Sequence, residues 1–302
     1  MSSPELTHIH NEDLEGPLPE GFPSLGREGK VRNIYIDESA GKICLIASDR
    51  VSAFDQVSPT PIPGKGEILN DIASRELEAA EDVQIPTWFE YVPEENPRAA
   101  VGDLATVLPV EMIFRNYMTG SMWREYKSTG DFQGFGLQPD LSEWQMLVPP
   151  MFTPSTKQDK DVNFHPKDVE EMTGLTTETL WDMEDIGREL FKLGTARAAG
   201  KGLVLVDTKY EMGVDSDGEI IVIDEVHTPD SSRFVIADGF ALSILAGETP
   251  KSFSKEFLRG VMLGYAGGDV GIAKAMMANP LSETVVEETQ ARYKELQQRF
   301  TA

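Results

Sequence analysis

The sequence predicts an α+β protein with two lobes and a cleft between them. Runs of β-prone residues bounded by turns concentrate in the first third of the chain, whereas apolar residues at helical spacing concentrate in the last third. Strands grouped apart from helices are typical of α+β folds. We therefore expect an acidic tail at 1–23, a β-rich lobe at 24–115 and an α+β lobe at 116–302.

The first lobe follows a tail rich in acids, Pro and Gly, a composition typical of an irregular terminus. Its strands are indicated by β-prone runs, and a loop with many Pro and Gly residues leads into its helix. The predicted elements are strands at 31–36, 42–47, 87–92 and 105–114, and a helix at 68–80.

The second lobe is predicted to be mainly helical. Apolar residues recur every three or four positions over 177–199, and Gly200 is placed to stop that helix. Further helices are predicted at 254–265 and 282–300, whereas 130–160 has the Gly, Pro and polar character of functional loops. The last helix carries an apolar stripe that we interpret as core or subunit packing: Val286, Tyr293, Leu296 and Phe300. That stripe leaves the oligomeric state open.

The charge balance restricts the possible partners. The net charge is −24, from 51 acids and 27 bases, which argues against general binding to nucleic acid because phosphates need a basic surface. Any anionic ligand must therefore meet a local cluster of Lys and Arg. No apolar run approaches the roughly 20 residues of a membrane helix. The single cysteine, Cys44, lies in an apolar run, so we expect a buried residue and a reducing, cytoplasmic location.

A hairpin is predicted around Asp217-Gly218, which is flanked by apolar, β-prone runs. A two-residue turn there would place Glu211 directly opposite Asp224, with Lys209 on the same face. Like charges that face each other across a strand pair are destabilising, so this pair calls for a cation. A Mg²⁺ that carries nucleotide phosphates meets that need. The alternatives are a solvated surface hairpin, or a longer turn with a shifted register.

Two basic segments are candidates for anion binding. Gly29, Lys30, Val31 and Arg32 form a glycine-containing turn beside a strand, where backbone N–H groups can approach a phosphate and Lys30 and Arg32 share a strand face. The segment matches neither a Walker A motif nor a complete kinase glycine loop, and an ordinary turn is the alternative.

A second set combines arginines with hydroxyl groups. Arg115 precedes Ser121 by six residues, and Ser232-Arg233 follows the acidic strand of the hairpin. A guanidinium group gives a bidentate fork for phosphate or carboxylate, and a serine adds a donor. The alternative for Ser121 is a capped helix start. Together with the segments that contain Asp55 and Lys157, these residues indicate a protein that handles two anionic ligands, one of them a Mg-nucleotide.

Other catalytic patterns are absent from the sequence. No Ser-His-Asp order or Cys-His pairing stands out, and the four histidines lack metal-ligand spacing.

Six segments resemble the ordered motifs of the phosphoribosylaminoimidazole-succinocarboxamide synthase (SAICAR synthetase) family. Two of them, FTPSTK and TPDSSRF, are specific strings. The segments occur in the order that the family shows, and the resemblance covers the chain from about residue 26 to its end. They are 29–35, 48–55, 115–123, 152–157, 207–213 and 224–234.

The resemblance implies a ligase of purine biosynthesis that joins L-aspartate to the carboxylate of carboxyaminoimidazole ribonucleotide and consumes ATP with Mg²⁺. It also implies a two-lobed fold with antiparallel sheets and helices around an ATP cleft. A related ATP-dependent small-molecule kinase is the main alternative, and a catalytically inactive nucleotide-binding protein is a second one. The presence of Glu211, Asp224 and Lys209 argues against the inactive protein.

The matching positions imply roles for individual residues. Those implied for nucleotide binding are Gly29, Lys30, Val31, Arg32, Lys157, Glu211 and Asp224, with Glu211 and Asp224 as the metal ligands. Those implied for substrate binding are Asp55, Arg115, Ser121, Asp161, Lys209, Ser232 and Arg233, and those implied for catalysis are Asp55, Lys209 and Asp224.

The sequence departs from the family pattern in the loop at 158–164. This loop is shorter than usual and has Lys160 where histidine is usual, whereas Asp161 and Asn163 keep their spacing. Asn33 also replaces a usual aspartate.

We predict that the melting temperature rises with NaCl beyond physiological concentration. The charge of −24 causes self-repulsion, which salt screens because the Debye length falls from ~30 Å at 0.01 M to ~8 Å at 0.15 M. Thermal unfolding across a salt series tests this, and a melting temperature that is flat or falls would contradict an adaptation to high salt.

Overall fold

The computed structural model describes residues 7–8, 16–22, 25–157 and 162–301. Its strands are β1 (Thr7–His8), β2 (Leu25–Glu28), β3 (Arg32–Asp37), β4 (Lys42–Ala47), β5 (Ser52–Ala53), β6 (Gln56–Val57), β7 (Phe89–Tyr91), β8 (Ala99–Asp103), β9 (Thr106–Tyr117), β10 (Met146–Phe152), β11 (Ser155–Thr156), β12 (Leu203–Val214), β13 (Ile220–Ile223) and β14 (Ser232–Ile236). Its helices are α1 (Lys65–Glu81), α2 (Gly120–Thr129), α3 (Val169–Thr173), α4 (Thr177–Gly200), α5 (Phe240–Leu245), α6 (Glu256–Tyr265), α7 (Val270–Met277) and α8 (Glu283–Thr301).

Two antiparallel sheets form the framework. The first has the strand order β1-β2-β3-β4-β8-β7, and the second has the order β10-β9-β12-β13, with β11 paired to β9 and β14 paired to β12. The short strands β5 and β6 form a separate hairpin. The predicted α+β class is confirmed, whereas the lobe boundary at residue 115 falls inside β9 and stays a prediction.

The main core lies between the second sheet and the helices that cover it. Phe114 of β9 stacks on Phe152 and Phe191, with ring centroids 5.1 and 5.7 Å apart. Helix α4 lies close enough for a Cβ at Gly187 to come within 2.5 Å of the Phe114 ring, so a glycine is needed there. The opposite face of this sheet is therefore free to carry polar side chains.

The helix and strand predictions are confirmed for the long, periodic segments. The predicted helices at 68–80, 177–199, 254–265 and 282–300 correspond to α1, α4, α6 and α8. In the last helix Tyr293, Leu296 and Phe300 are buried in the core, as predicted, but Val285 replaces the partly exposed Val286 on the buried face.

Several elements have no counterpart in the predictions. Strand β8 is built from small residues with one β-branched valine, so it lacks a β-prone signal. The short helices α5 and α7 were also missed, because mostly apolar segments give a poor contrast between two faces. Among the described helices, none combines the length and the apolar character that crossing a bilayer requires.

The predicted register of the hairpin is wrong by one residue. Glu211 pairs with Ile223, and Asp224 lies just beyond the end of β13. The cause is a longer turn, in which the backbone N–H of Asp215 donates to the carbonyl of Glu219 over 3.0 Å. The Asp215 carboxylate accepts hydrogen bonds from the N–H groups of Asp217 and Glu219, at 2.9 Å each. This side chain closes a turn of three residues in place of two.

Candidate functional site

A cleft of about 1600 Å³ runs between the two sheets and continues to the start of α6. Its walls come from β3, β4, β9 and β12, the β5–β6 hairpin and the loop that precedes β14. One end is lined by apolar side chains, which suit a planar ring. They are Ile34, Ile36, Ile43, Leu45, Trp88, Val107 and Ile223.

The centre of the cleft holds two facing acids. Glu111 of β9 pairs directly with Glu211 of β12, so the destabilising opposition exists, but with a different partner from the one predicted. Lys209 lies between them, with its Nζ 2.5 Å from Glu111 and 3.0 Å from Glu211. The second oxygen of Glu211 binds Lys157, and Ser155 donates to Glu111 over 3.1 Å.

The pKa values of this cluster follow its charges. Burial would raise the pKa of Glu211, but Lys209 and Lys157 outweigh it and hold the pKa at about 2. Burial would likewise lower the pKa of Lys209, but Glu211 and Glu111 raise it above its ordinary value. The ammonium group of Lys209 is therefore charged, and with Lys157 it keeps the Glu211 carboxylate in its charged form.

Asp224 lies beside this cluster, on the loop after β13. Arg32 binds it over 2.6 Å and binds Glu225 over 2.5 Å with its second nitrogen. Burial raises the pKa of Asp224 to about 6, against the opposite effect of Arg32, and the nearby charges of Glu211 and Glu225 add to the rise. The Asp224 carboxylate is thus poorly solvated and lies beside two further carboxylates.

The donor set of Glu211 and Asp224 fits a Mg²⁺ ion that brings ligands of its own. Among the described residues, no group of three or more His, Cys, Asp or Glu could hold a metal ion. Mg²⁺ commonly takes one or two carboxylates and completes its shell with phosphate oxygens and water. The poorly solvated negative charge of Asp224 is the feature that a divalent cation would neutralise.

The other end of the cleft is an anion pocket. Arg115 is buried and contacts Asp207 over 3.2 Å, Thr153 over 2.9 Å and Ser121 over 3.5 Å. Arg233 lies against the same Asp207, at 3.6 Å. Arg233 also lies 3.8 Å from Glu256, which binds Arg259, so three guanidinium groups share two carboxylates at this end of the cleft.

Helix α2 begins at this pocket. Its start combines unpaired backbone N–H groups with the positive end of the helix dipole, an arrangement that favours anions. Arg233 donates to Thr119, the residue before the helix, over 3.2 Å. Gly120 has a φ of 62°, and a Cβ there would lie 2.7 Å from the Arg233 guanidinium, so this close approach needs glycine. The helix start that was the alternative for Ser121 is therefore part of the anion pocket.

Ser232 lies in the wall of the cleft, between its apolar end and the anion pocket. Its hydroxyl lies 2.7 Å from that of Thr208, on the strand that carries Lys209. The predicted substrate residues Arg115, Ser121, Ser232 and Arg233 are thus brought together.

The predicted glycine turn adopts a different form from the one expected. Gly29 donates to the carbonyl of Arg32 over 2.7 Å, and β3 begins only at Arg32. Lys30 therefore lies in the turn and does not share a strand face with Arg32, which corrects that prediction. The side chain of Lys30 binds Asp55 over 2.9 Å at the cleft rim, where both side chains are more than half exposed, and Val31 also lines the cleft.

Two uncharged residues discussed in the sequence analysis, Cys44 and Asn33, are both buried. Cys44 is fully buried, and burial raises the pKa of its thiol to about 12, so it is an inert core residue. Asn33, where the family usually has aspartate, is buried and accepts a hydrogen bond of 2.8 Å from Arg50. Asp161 lies outside the described residues.

Several charged residues of the cleft were not found from the sequence. They are Glu111, Asp207, Glu225, Asp230, Lys255, Glu256 and Arg259. A lone acid in an apolar strand was an available signal for Glu111. Asp207, Glu225 and Asp230 lie within the motif segments 207–213 and 224–234, whereas Lys255, Glu256 and Arg259 come from α6 and its start and reach the cleft only through folding.

The comparisons with known proteins agree with this geometry. A model of the SAICAR synthetase family matches residues 25–268. A phosphoribosylaminoimidazole-succinocarboxamide synthase from Bacteroides thetaiotaomicron is 39% identical over 281 residues, covering 90% of this chain and 86% of that protein. The enzyme of the same name from Cytophaga hutchinsonii is 38% identical and covers 93% and 90%.

Solved structures show the same fold. The SAICAR synthase from Saccharomyces cerevisiae, complexed with SAICAR, superposes with a TM-score of 0.77 at 28% identity and covers 95% of this chain and 97% of that one. A type-2 SAICAR synthetase in complex with ADP has a TM-score of 0.69 at 23% identity, with coverage of 91% and 97%, which supports the fold alone.

We predict that the contribution of Glu256 to stability is lost in acid. Burial would raise its pKa, but Arg233 and Arg259 outweigh it and hold the pKa at about 2, below the ordinary 4.5. A depressed pKa stabilises the fold above the unfolded value and ceases to do so as pH falls through the folded value. The stability advantage of the wild type over Glu256→Gln is therefore full above pH 4.5 and shrinks towards pH 2.

Urea unfolding of both proteins from about pH 6 to about pH 3 measures this difference. Glu189→Gln is the control, because Glu189 is an exposed acid 3.5 Å from Lys192. A difference between wild type and Glu256→Gln that does not change with pH would contradict the prediction.

Proposed function

The chain belongs to the SAICAR synthetase family, and we propose that its cleft joins L-aspartate to the carboxylate of carboxyaminoimidazole ribonucleotide with the help of Mg²⁺. It is an ATP-dependent carbon–nitrogen ligase of purine biosynthesis. The observation that carries the substrate assignment is one cleft in which the Lys209 cluster lies between an apolar end and a pocket of two arginines. The proposal includes a cytoplasmic location, in keeping with a single cysteine that is free and buried.

The nucleotide occupies the apolar end and the acidic centre in this proposal. Its base packs between the side chains of the two sheets, and its phosphates meet Arg32, Lys157 and Lys209. Glu211 and Asp224 would hold the Mg²⁺, which neutralises charge on the transferred phosphoryl group when it is bound. The backbone of Gly29 to Val31, with Lys30, closes over the phosphates from the first sheet.

The ribonucleotide occupies the anion pocket in this proposal. Its phosphate takes the forks of Arg115 and Arg233 with the hydroxyls of Ser121 and Ser232, at the start of α2. The length of the nucleotide then places its carboxylate towards Lys209. Asp161 of the neighbouring loop is kept as a proposed substrate contact on the family pattern alone.

The first chemical step activates a poor electrophile. An oxygen of the substrate carboxylate attacks the γ-phosphorus of ATP, ADP leaves, and an acyl phosphate forms. Lys209, held in its charged form by Glu111 and Glu211, faces the negative charge that develops on the transferred group. Because both acids fix its position, Lys209 needs little reorganisation during the step.

The second step forms the amide. The neutral amine of L-aspartate attacks the acyl carbon, the carbon–oxygen bond to phosphate breaks, and phosphate leaves while the nitrogen gives up a proton. Asp55 is a carboxylate at the cleft rim that can orient the ammonium form or accept this proton. It adopts a left-handed φ of 57° beside Phe54 at 54°, backbone strain of the kind found at functional sites.

We predict that ADP release requires all three substrates. A coupled assay that omits ATP, L-aspartate or the ribonucleotide in turn distinguishes the ligase from a related small-molecule kinase. The ligase forms amide and ADP in equal amounts, and full turnover depends on aspartate. Steady ADP release at the full rate without aspartate would indicate the kinase and reject the proposed reaction.

Glu211→Gln and Asp224→Asn are each expected to reduce turnover by about 100-fold or more, because both remove a charge that faces the metal–nucleotide. The half-saturating Mg²⁺ concentration should rise in both variants, while circular dichroism shows an intact fold. Glu90→Gln, a change of the same type at a half-exposed residue bound to Lys42, is the control. Wild-type Mg²⁺ dependence in either site variant would remove that residue from the metal site.

Arg115→Ala and Arg233→Ala are expected to raise the KM for the ribonucleotide far more than the KM for ATP. Truncation of one partner in a buried, charged contact costs ~2–5 kcal/mol, which here would affect one substrate. Arg75→Ala, at an exposed arginine bound to Asp71, is the control. Equal losses for both substrates would place these arginines outside the ribonucleotide site.

A further inference from the structure

A fully buried network of hydrogen-bonded side chains lies behind the cleft. His227 has its Nδ1 2.9 Å from the carboxylate of Glu76 and its Nε2 2.6 Å from the hydroxyl of Tyr210. The Glu76 carboxylate also binds Arg197 over 2.8 Å. The side chains of His227, Glu76 and Tyr210 have no exposed surface, and none of them lines the cleft.

Two members of this network, Tyr210 and His227, belong to the segments that carry the acidic centre. Tyr210 lies between Lys209 and Glu211 on β12, and its side chain points to the opposite face because neighbouring strand residues alternate. His227 follows Asp224 by three residues on the loop after β13. The hydrogen bond between Tyr210 and His227 therefore joins the strand of Glu211 to the loop of Asp224 from the core side.

This loop needs such a support, because strand pairing no longer holds it. The ladder between β12 and β13 ends at Ile223, and both Asp224 and His227 have left-handed φ values, 61° and 56°. Such backbone conformations are costly for residues other than glycine and persist only where the surroundings enforce them. The indole of Trp88 adds a hydrogen bond of 2.9 Å to the Asp224 carbonyl, on the cleft side of the loop.

The packing of α4 leaves room for the imidazole ring. A Cβ at Gly194 would lie 2.2 Å from Nε2 of His227, so any larger residue would displace the ring. On its other side the ring is constrained by the carboxylate of Glu76, which belongs to α1 and is fully buried. The ring thus has one position relative to both helices and to β12.

We infer that His227, clamped between Glu76 and Tyr210, is a positioning residue that sets the distance between the carboxylates of Glu211 and Asp224. The inference rests on the proposed function, in which these two carboxylates receive the metal–nucleotide. His227 acts through the loop and touches no substrate. Its loss would therefore weaken the recognition of the metal more than that of the nucleotide or the ribonucleotide.

Two substitutions cut the same hydrogen bond from opposite sides. Tyr210→Phe removes one hydroxyl and keeps the ring, and His227→Asn keeps a nitrogen donor towards Glu76 but no group towards Tyr210. Calorimetry measures the affinity for ADP with and without Mg²⁺, and the ratio of the two is the gain due to the metal. We expect this gain to fall about three- to tenfold in each variant, with the affinity for ADP alone unchanged.

The double variant and a matched control complete the experiment. If both changes act through one bond, the gain in the double variant falls by no more than it does in the single variant with the larger loss. Tyr126→Phe is the control, because it removes a part-buried hydroxyl of α2 that donates to the carbonyl of Gln138 over 2.8 Å and does not line the cleft. It should lower stability and leave the gain unchanged.

Two results would overturn the inference while the proposed function stands. One is a wild-type gain in both variants despite a lower melting temperature. The other is an equal loss of ADP affinity with and without Mg²⁺, which a purely structural role would produce. If the wild type itself shows no gain from Mg²⁺, the proposed metal site fails and the inference fails with it.

Discussion

The arrangement of the cleft depends on one lysine between two acids that face each other across neighbouring strands. Glu111 and Glu211 are paired in the middle of the second sheet, where their charges would oppose the pairing of β9 and β12 without Lys209 between them. This contact between Lys209 and the two acids has two consequences. It permits the sheet to form with acids in its centre, and it presents a charged ammonium group to the cleft. The charged centre of the cleft is thus a consequence of strand pairing.

The remaining charges of the cleft follow from the acidity of the whole chain. In a protein of net charge −24, cations must be concentrated locally to attract an anionic ligand. The fold achieves this by letting two bases share one carboxylate. Asp207 contacts Arg115 and Arg233, and Asp230, which is almost fully buried, contacts Lys65 and Lys255 at 3.0 and 3.5 Å. At the anion pocket the guanidinium groups of Arg115, Arg233 and Arg259 outnumber the carboxylates of Asp207 and Glu256, and each acid holds its bases in place.

The loop from Asp224 to Arg233 connects the acidic centre to the anion pocket, so its conformation sets the spacing of the two. Its residues up to Ser231 lie outside the strand ladders and are held by side chains, whereas Ser232 and Arg233 already pair with β12. Asp230 also accepts a hydrogen bond from Tyr293 of α8, and His227 binds Tyr210 and Glu76. Burial with complete pairing is what makes such polar contacts specific in position. The functional loop is consequently as constrained as the sheet beside it.

The sequence by itself determined the α+β class, the long helices, the hairpin at residues 203–223 and the family, and every predicted site residue except Asp161 lines the cleft. These follow from local signals, namely periodicity, turn residues and short motifs, which neighbouring residues specify. The tertiary structure decided which acid faces Glu211, because the Asp215 side chain lengthens the turn and β9 approaches from a distant part of the chain. It also decided the pairing of Asp224 with Arg32 and of His227 with Glu76, which are 192 and 151 residues apart. Contacts of that separation depend on the packing of whole elements, and no local pattern encodes them.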